Sequence, residues 1–189
     1  EMPYRIAVFL IFAINLLVRI YFQKQQAGVV TKKELYAARE RFLHWLAWSP
    51  AIPILLYVFT TLLNTFQFEV SAPIRWFGAA IALVGTLLFA WSHHTLGKNW
   101  SSRLEIREKH RLVTEGPYAF IRHPMYAALL FISTGLGLLA ANWMVAIPFP
   151  LSVLLLYLIR VPSEEAMMLE HFGEAYREYC QRTGRLLPF

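Results

Sequence analysis

Two separated stretches of this chain hold most of the side chains that could do chemistry. The first runs His110-Arg111-Leu112-Val113-Thr114-Glu115-Gly116-Pro117-Tyr118 and resumes as Arg122-His123-Pro124-Met125-Tyr126; the second is Arg160 followed by Glu164 and Glu165. Guanidinium, carboxylate, imidazole and phenol groups together suit a charged polar ligand. What is missing narrows the chemistry. All 12 acids are Glu, so a Ser/His/Asp triad and any Asp metal ligand are excluded. The single cysteine, Cys180, can neither close an internal disulfide nor build a cysteine zinc cluster. His93 and His94 are adjacent, on different faces of a helix, and lack the i, i+3 or i, i+4 spacing of a metal pair. Neither a Walker loop nor a Gly-x-Gly-x-x-Gly run occurs, which leaves no recognisable phosphate cradle. His44 and His171 have no evident partner in the sequence and read as surface or packing residues.

Each cluster taken singly has an ordinary explanation. Gly116-Pro117 is loop punctuation. Arg122-His123-Pro124 suits a charged helix start with proline in its first turn, and Glu164-Glu165 are acids where a helix amino terminus favours them. Their positions relative to the membrane make the combination harder to set aside. The 189 residues are 57% apolar and 16% charged, with a mean hydropathy of +0.43. Soluble domains run at about 45–50% apolar and about 25% charged, so a soluble globule is excluded.

Five stretches, 3–22, 45–68, 76–96, 125–143 and 144–160, are apolar over about the 20 residues that cross a hydrocarbon core. The first lacks a small-residue cleavage site and reads as a retained span rather than a signal peptide. The last two abut at Asn142-Trp143, which predicts an antiparallel hairpin, with Pro148 and Pro150 kinking its second arm near the outer end. An amphipathic helix is expected over 163–183, with Met168, Leu169, Phe172, Tyr176 and Tyr179 on one face, started by Pro162-Ser163 and stopped by Gly184. The expected fold is an all-α integral membrane protein of five transmembrane helices with a cytoplasmic carboxyl-terminal amphipathic helix. It divides into a three-helix membrane region, 1–96, and a catalytic region, 97–189.

Charge sets the expected orientation. The net charge is +6, and 14 of the 18 Lys and Arg fall in 23–44, in 97–124 and after Arg160. Arg19 and Arg160 close their helices on that same side, and only Arg5 and Arg75 lie opposite. By the positive-inside rule the amino terminus is outside and these segments are cytoplasmic. Topology thus accounts for the basic charge without a nucleic-acid partner. The three clusters reach one cytoplasmic level, where the hairpin draws Tyr126 toward Arg160. Such a site, open to cytosol and lipid, suits a polar cofactor and an apolar substrate.

Over HRLVTEGPYAFIRHPMY, 110–126, and RVPSEEAMMLEHFGEAYREY, 160–179, followed by RLLPF, the chain resembles the isoprenylcysteine carboxyl methyltransferase family. The resemblance implies S-adenosylmethionine as cofactor, released as S-adenosylhomocysteine, and a prenylated cysteine or other lipid-like substrate entering from the bilayer among membrane lipids, with no metal. It implies that His110, Arg111, Leu112, Val113, Tyr118, His123, Pro124, Met125, Tyr126 and Glu164 contact the cofactor. Glu165 is an alternative to Glu164 for its polar end. Arg160 is implied as the substrate-binding and catalytic residue. Phospholipid N-methyltransferases look alike over Gly-Pro-Tyr and Arg-His-Pro, NADPH-dependent sterol or enone reductases share part of the carboxyl-terminal pattern, and a membrane scaffold is the non-catalytic alternative. A substrate carboxylate has a reference pKa of about 3.3–3.7, so it is ionised at neutral pH and needs no general base. In-line placement is what it requires, and Arg160 can hold it bidentately.

Overall fold

The computed structural model describes residues 1–25, 31–34, 37–97, 105–107 and 111–188. An apolar run without an internal breaker forms α1 (Met2–Gln25), followed by β1 (Thr31–Glu34), α2 (Ala37–Trp48), α3 (Ala51–Phe59) and α4 (Ala72–Leu96). Then come β2 (Glu105–Arg107), α5 (Pro124–Ala140), α6 (Trp143–Ala146), α7 (Pro148–Phe172) and α8 (Glu174–Arg182). The described chain is helical apart from β1 and β2, a short antiparallel pair that ties the α1–α2 connection to the segment after α4. Helical segments 2–25, 41–59, 72–96 and 143–172 are long and apolar enough to cross a membrane, and α5 is a shorter apolar helix. Leu10, Ile14, Leu17, Leu83, Leu87, Leu151 and Leu154 point outward and exposed, a surface that suits lipid.

The element boundaries depart from the expected ones at three places, each at a breaker residue. The stretch expected over 45–68 begins earlier, is interrupted at Ser49-Pro50 and ends at Phe59, because Pro50 cannot extend α2 but can open α3. Pro148 does not kink a helix; it starts α7 in the position where proline's missing N–H costs nothing. Pro162 does not start a tail helix either. The helix α7 runs through it to Phe172, and the break comes at Gly173, whose φ of 55° suits glycine. A proline at 162 deprives the Leu158 carbonyl of its amide partner. Beside it, Arg39 of α2 donates to the Ile159 carbonyl and, at 2.9 Å, to the Ser163 hydroxyl, so a neighbouring helix braces the turn that holds the proline.

The hairpin is as expected. Ala141 takes a left-handed conformation, the Asn142 side chain accepts from the Met144 amide at 3.1 Å and donates to the Leu63 carbonyl at 2.7 Å. α4 and α5 pack backbone to backbone: a Cβ on Gly135 would lie 2.5 Å from the Ala82 nitrogen and the Gly78 oxygen, and one on Gly85 would lie 2.8 Å from the Ile132 nitrogen. Small residues at such crossings are how helices associate where the solvent is as apolar as the side chains. At the end away from the site, Arg75 is buried. It donates to the carbonyls of Leu139 and Ala140 at 2.9 and 3.1 Å, forks onto Glu1 at 2.7 and 3.0 Å, and lies 3.5 Å from the centre of the Tyr4 ring. Arg5 donates to the Thr60 carbonyl and the Asn64 side chain at 2.7 and 2.6 Å. Both arginines that run against the charge asymmetry are therefore committed to internal partners.

Gly135→Ala tests this packing. Alanine is the better helix former, yet the substitution is expected to destabilise by about 1–3 kcal/mol through overpacking. The check is the melting temperature in micelles, against Leu83→Ala on the outward face, which should change it little.

Candidate active site

The residues singled out in the sequence converge on one cavity of about 260 Å³ at the end of the bundle where α1 and α4 finish and α5 begins. Arg111, Leu112, Val113, Tyr118, His123, Met125, Tyr126, Arg160 and Glu164 all line it. Pro124 is fully buried behind the wall at the first turn of α5, and His110 lies outside the described residues. The volume is near the lower end of small-molecule sites, about 300 Å³.

Local sequence explains how each side arrives. The Gly-Pro turn forms a short 3-10 helix over Gly116–Ala119. Gly116 has a φ of +59°, and a Cβ there would meet the Thr95 hydroxyl at 2.7 Å, so only glycine lets the loop press against α4. This buries Tyr118, whose phenol burial, followed by the nearby Glu164 charge, holds well above its usual range; it stays neutral. From α7, Arg160 Nε donates to Glu164 Oε1 at 2.8 Å, and the Tyr126 hydroxyl of α5 donates to the same oxygen at 3.1 Å. His123 Nδ1 stands 3.8 Å from the other Glu164 oxygen.

Glu165 does something different. It is absent from the cavity wall and accepts from Arg122 Nε at 3.2 Å and from Arg185 Nη2 at 2.7 Å, while His123 Nε2 lies 3.2 Å away. That contact raises the affinity of Arg185 for its proton. Arg122 reaches further, donating to the Cys180 carbonyl at 3.0 Å and to the Thr183 carbonyl, where it closes the end of α8. Backbone bonds from Arg122 to Gly184 at 2.8 Å and from His123 to Arg185 at 3.0 Å continue the seam. On α8, Tyr179 donates to the Tyr118 carbonyl at 2.7 Å, with burial pushing its phenol up to about 12. The Arg-His-Pro segment is thus both a wall of the cavity and the bolt that holds the tail over it.

Sequence reasoning missed part of the wall. Arg19 of α1, Leu43, His44 and Ala47 of α2, and Phe89 and His93 of α4 also line the cavity. Of these, Arg19 and His93 carried a signal, since ionisable residues inside apolar spans mark function by default. A second, apolar chamber of about 80 Å³ adjoins the first, sharing Arg19, Ala47, Phe89, Leu129 and Phe149 and extending to Phe12, Leu16 and Leu136. The site therefore has a polar end and a greasy end.

Residues 78–170, which include these clusters, match the model of the Isoprenylcysteine carboxyl methyltransferase (ICMT) family. Over that segment the chain is similar to this family. Among its relatives, Protein-S-isoprenylcysteine O-methyltransferase B of Arabidopsis thaliana is 36% identical over 115 residues, 60% of this chain and 58% of that protein. The Protein-S-isoprenylcysteine O-methyltransferase of Homo sapiens is 32% identical over 134 residues, 68% of this chain and 47% of that protein. A solved structure of the eukaryotic intramembrane Ras methyltransferase ICMT superposes with a TM-score of 0.57 at 25% identity, covering 82% of this chain and 54% of that one. The matched stretch spans about half the length of these relatives. The matched segment supplies most of α4, the Gly-Pro loop, α5 and most of α7, while α1, α2 and α8 complete the wall from outside it.

The bolt is testable through Arg122. Arg122→Ala leaves the Cys180 and Thr183 carbonyls without this donor and Glu165 with Arg185 alone among its arginines, and is expected to cost about 2 kcal/mol. Arg177→Ala removes only an exposed pair with Glu174, worth about 0.5 kcal/mol. Thermal unfolding and limited proteolysis of the tail should separate the two.

Proposed function

We propose that this chain transfers a methyl group from S-adenosylmethionine to the carboxyl-terminal carboxylate of a prenylated cysteine. The observation that carries the reading is the two-ended cavity built on the family-matched segment and closed by α1, α2 and α8, with a carboxylate–guanidinium pair and phenols at one end and an apolar chamber at the other. The donor set fits a zwitterionic cofactor: Glu164 has the carboxylate for an ammonium, and Tyr118 and Tyr126 offer aromatic faces to a cation or a purine. Leu112 and Val113 add apolar contact beside Arg111, His123 and Met125, Pro124 sets the first turn of α5 behind them, and His110 enters the reading through the family resemblance alone. Bound there, S-adenosylmethionine supplies a methyl group made electrophilic by a sulfonium.

The protein's own task is alignment. A carboxylate with a pKa of about 3.3–3.7 is already the nucleophile at neutral pH, so Arg160 acts by holding it in place rather than by moving a proton. Glu164 keeps Arg160 oriented through Nε. The tail helix, bolted by Arg122 and Glu165, limits the water that reaches the polar end. The prenyl chain enters from the bilayer into the chamber lined by Phe12, Leu16 and Leu136.

The same reading includes five crossings: α1, α2–α3, α4, α5 and α6–α7. The 17 residues of α5 rise about 25 Å, short of a full core, and its close packing on α4 supports the crossing. The site and the carboxyl terminus are then cytoplasmic and the amino terminus outside, in keeping with the charge asymmetry.

Thermal stability under titration tests the cofactor. At about 100 Kd a ligand stabilises by about 2.7 kcal/mol, a rise of about 5–11 °C for a chain this long. S-adenosylmethionine is expected to give that rise and NADPH none; the reverse would sink the methyltransferase reading. With labelled cofactor, a prenylcysteine analogue should be methylated and phosphatidylethanolamine not. Arg160→Ala is expected to lower turnover about 100-fold or more while leaving the cofactor-induced rise in place; normal methylation by that variant would remove Arg160 from its role.

A further inference from the structure

Four arginines border the cavity, Arg19, Arg111, Arg122 and Arg160. Three have carboxylate partners: Arg111 pairs with Glu115 at 3.0 Å, Arg122 with Glu165 at 3.2 Å and Arg160 with Glu164 at 2.8 Å. Arg19 has none among the described residues. Its guanidinium carbon lies 4.6 Å from the centre of the Trp48 ring, and its Nε is sealed from solvent with no hydrogen-bond partner. It borders the cavity, near enough to Arg160 for the two cations to repel. A half-buried cation whose Nε lacks a partner is costly, and within an apolar helix it marks a place where an anion binds.

The position of Arg19 selects the anion. It borders both the polar cavity and the apolar chamber, whereas Arg111, Leu112, Val113, Tyr118 and Glu164 border the polar cavity alone. A ligand with a carboxylate head and a hydrocarbon tail must place its head at that junction. We propose that Arg19, held by Trp48, is a second substrate anchor that with Arg160 clamps the carboxylate of the lipid-tailed substrate from the opposite side, and so selects for a free carboxylate. This rests on the methyltransferase reading and extends it to α1, outside the family segment.

The cofactor also carries a carboxylate, so the test separates the two anions. Wild type, Arg19→Gln and Arg19→Lys, in micelles, are assayed for methylation of N-acetyl-S-farnesylcysteine, for inhibition by its carboxamide, and for binding of S-adenosylmethionine. A lost charged hydrogen bond is worth about 1.5–3 kcal/mol, so Arg19→Gln is expected to raise KM roughly tenfold or more, with kcat little changed. Its inhibition constant for the carboxamide and its cofactor affinity should match the wild type, which also shows that the variant is folded. Arg19→Lys keeps the charge but not the planar fork and should fall between; if the glutamine variant does not fold, an unchanged KM in the lysine variant overturns the proposal. An unchanged KM in Arg19→Gln also overturns it, as does weakened cofactor binding with the substrate KM intact. Failure of the native chain to methylate the carboxylate overturns this proposal and the parent reading together, whereas normal methylation by Arg19→Gln overturns this one alone.

Discussion

Glu164 and Glu165 are consecutive on α7, so their side chains leave the helix about 100° apart, and His123 sits between them. One ring nitrogen lies 3.8 Å from Glu164 and the other 3.2 Å from Glu165. Glu164 is thereby turned into the cavity with Arg160 and Tyr126, and Glu165 is turned to Arg122 and Arg185. The arrangement depends on α7 continuing through Pro162. A helix broken there would carry both carboxylates away from the Arg-His-Pro segment, leaving the cavity without its acid and the tail without its bolt. Arg39, donating to the Ile159 carbonyl and the Ser163 hydroxyl, braces α7 at that turn.

Rigidity further out keeps those distances meaningful. The α4–α5 contact is close enough that its glycines cannot carry a side chain, and Arg75 ties the far ends of the same helices through the Leu139 and Ala140 carbonyls. With α5 fixed at both ends, Tyr126 and His123 are presented by a stiff element rather than by a loop. The remaining walls, from α1 and α2, bring Arg19, which has no carboxylate partner among the described residues, and the apolar chamber. A polar pocket on a rigid scaffold beside a greasy recess fits a substrate drawn from two phases.

Much of this was legible in the residues. The Gly116-Pro117-Tyr118 turn, the hairpin at Asn142 and the gathering of the three clusters follow from local chemistry and from the short distance between consecutive helices. Pro162 misleads because its usual meaning, a helix start, is overridden by tertiary packing, here from Arg39, which bonds Ile159 120 residues away along the chain. The same limit hid the division of labour between Glu164 and Glu165: adjacent identical residues differ only by the face each presents, and that is set by α5 and the tail. Arg19 read as one more charge at a helix end, because sequence position does not tell whether a long side chain turns outward to water or inward to a cavity.

Calorimetric titration of S-adenosylmethionine into the native chain, Glu164→Gln and Glu165→Gln tests the central division most directly. A cofactor ammonium paired with a carboxylate is worth about 1.5–3 kcal/mol, so Glu164→Gln should weaken binding roughly tenfold or more while leaving the fold intact. Glu165→Gln should bind within a small factor of the native chain but melt at a lower temperature as the tail loosens. Binding lost in Glu165→Gln and kept in Glu164→Gln would contradict the account.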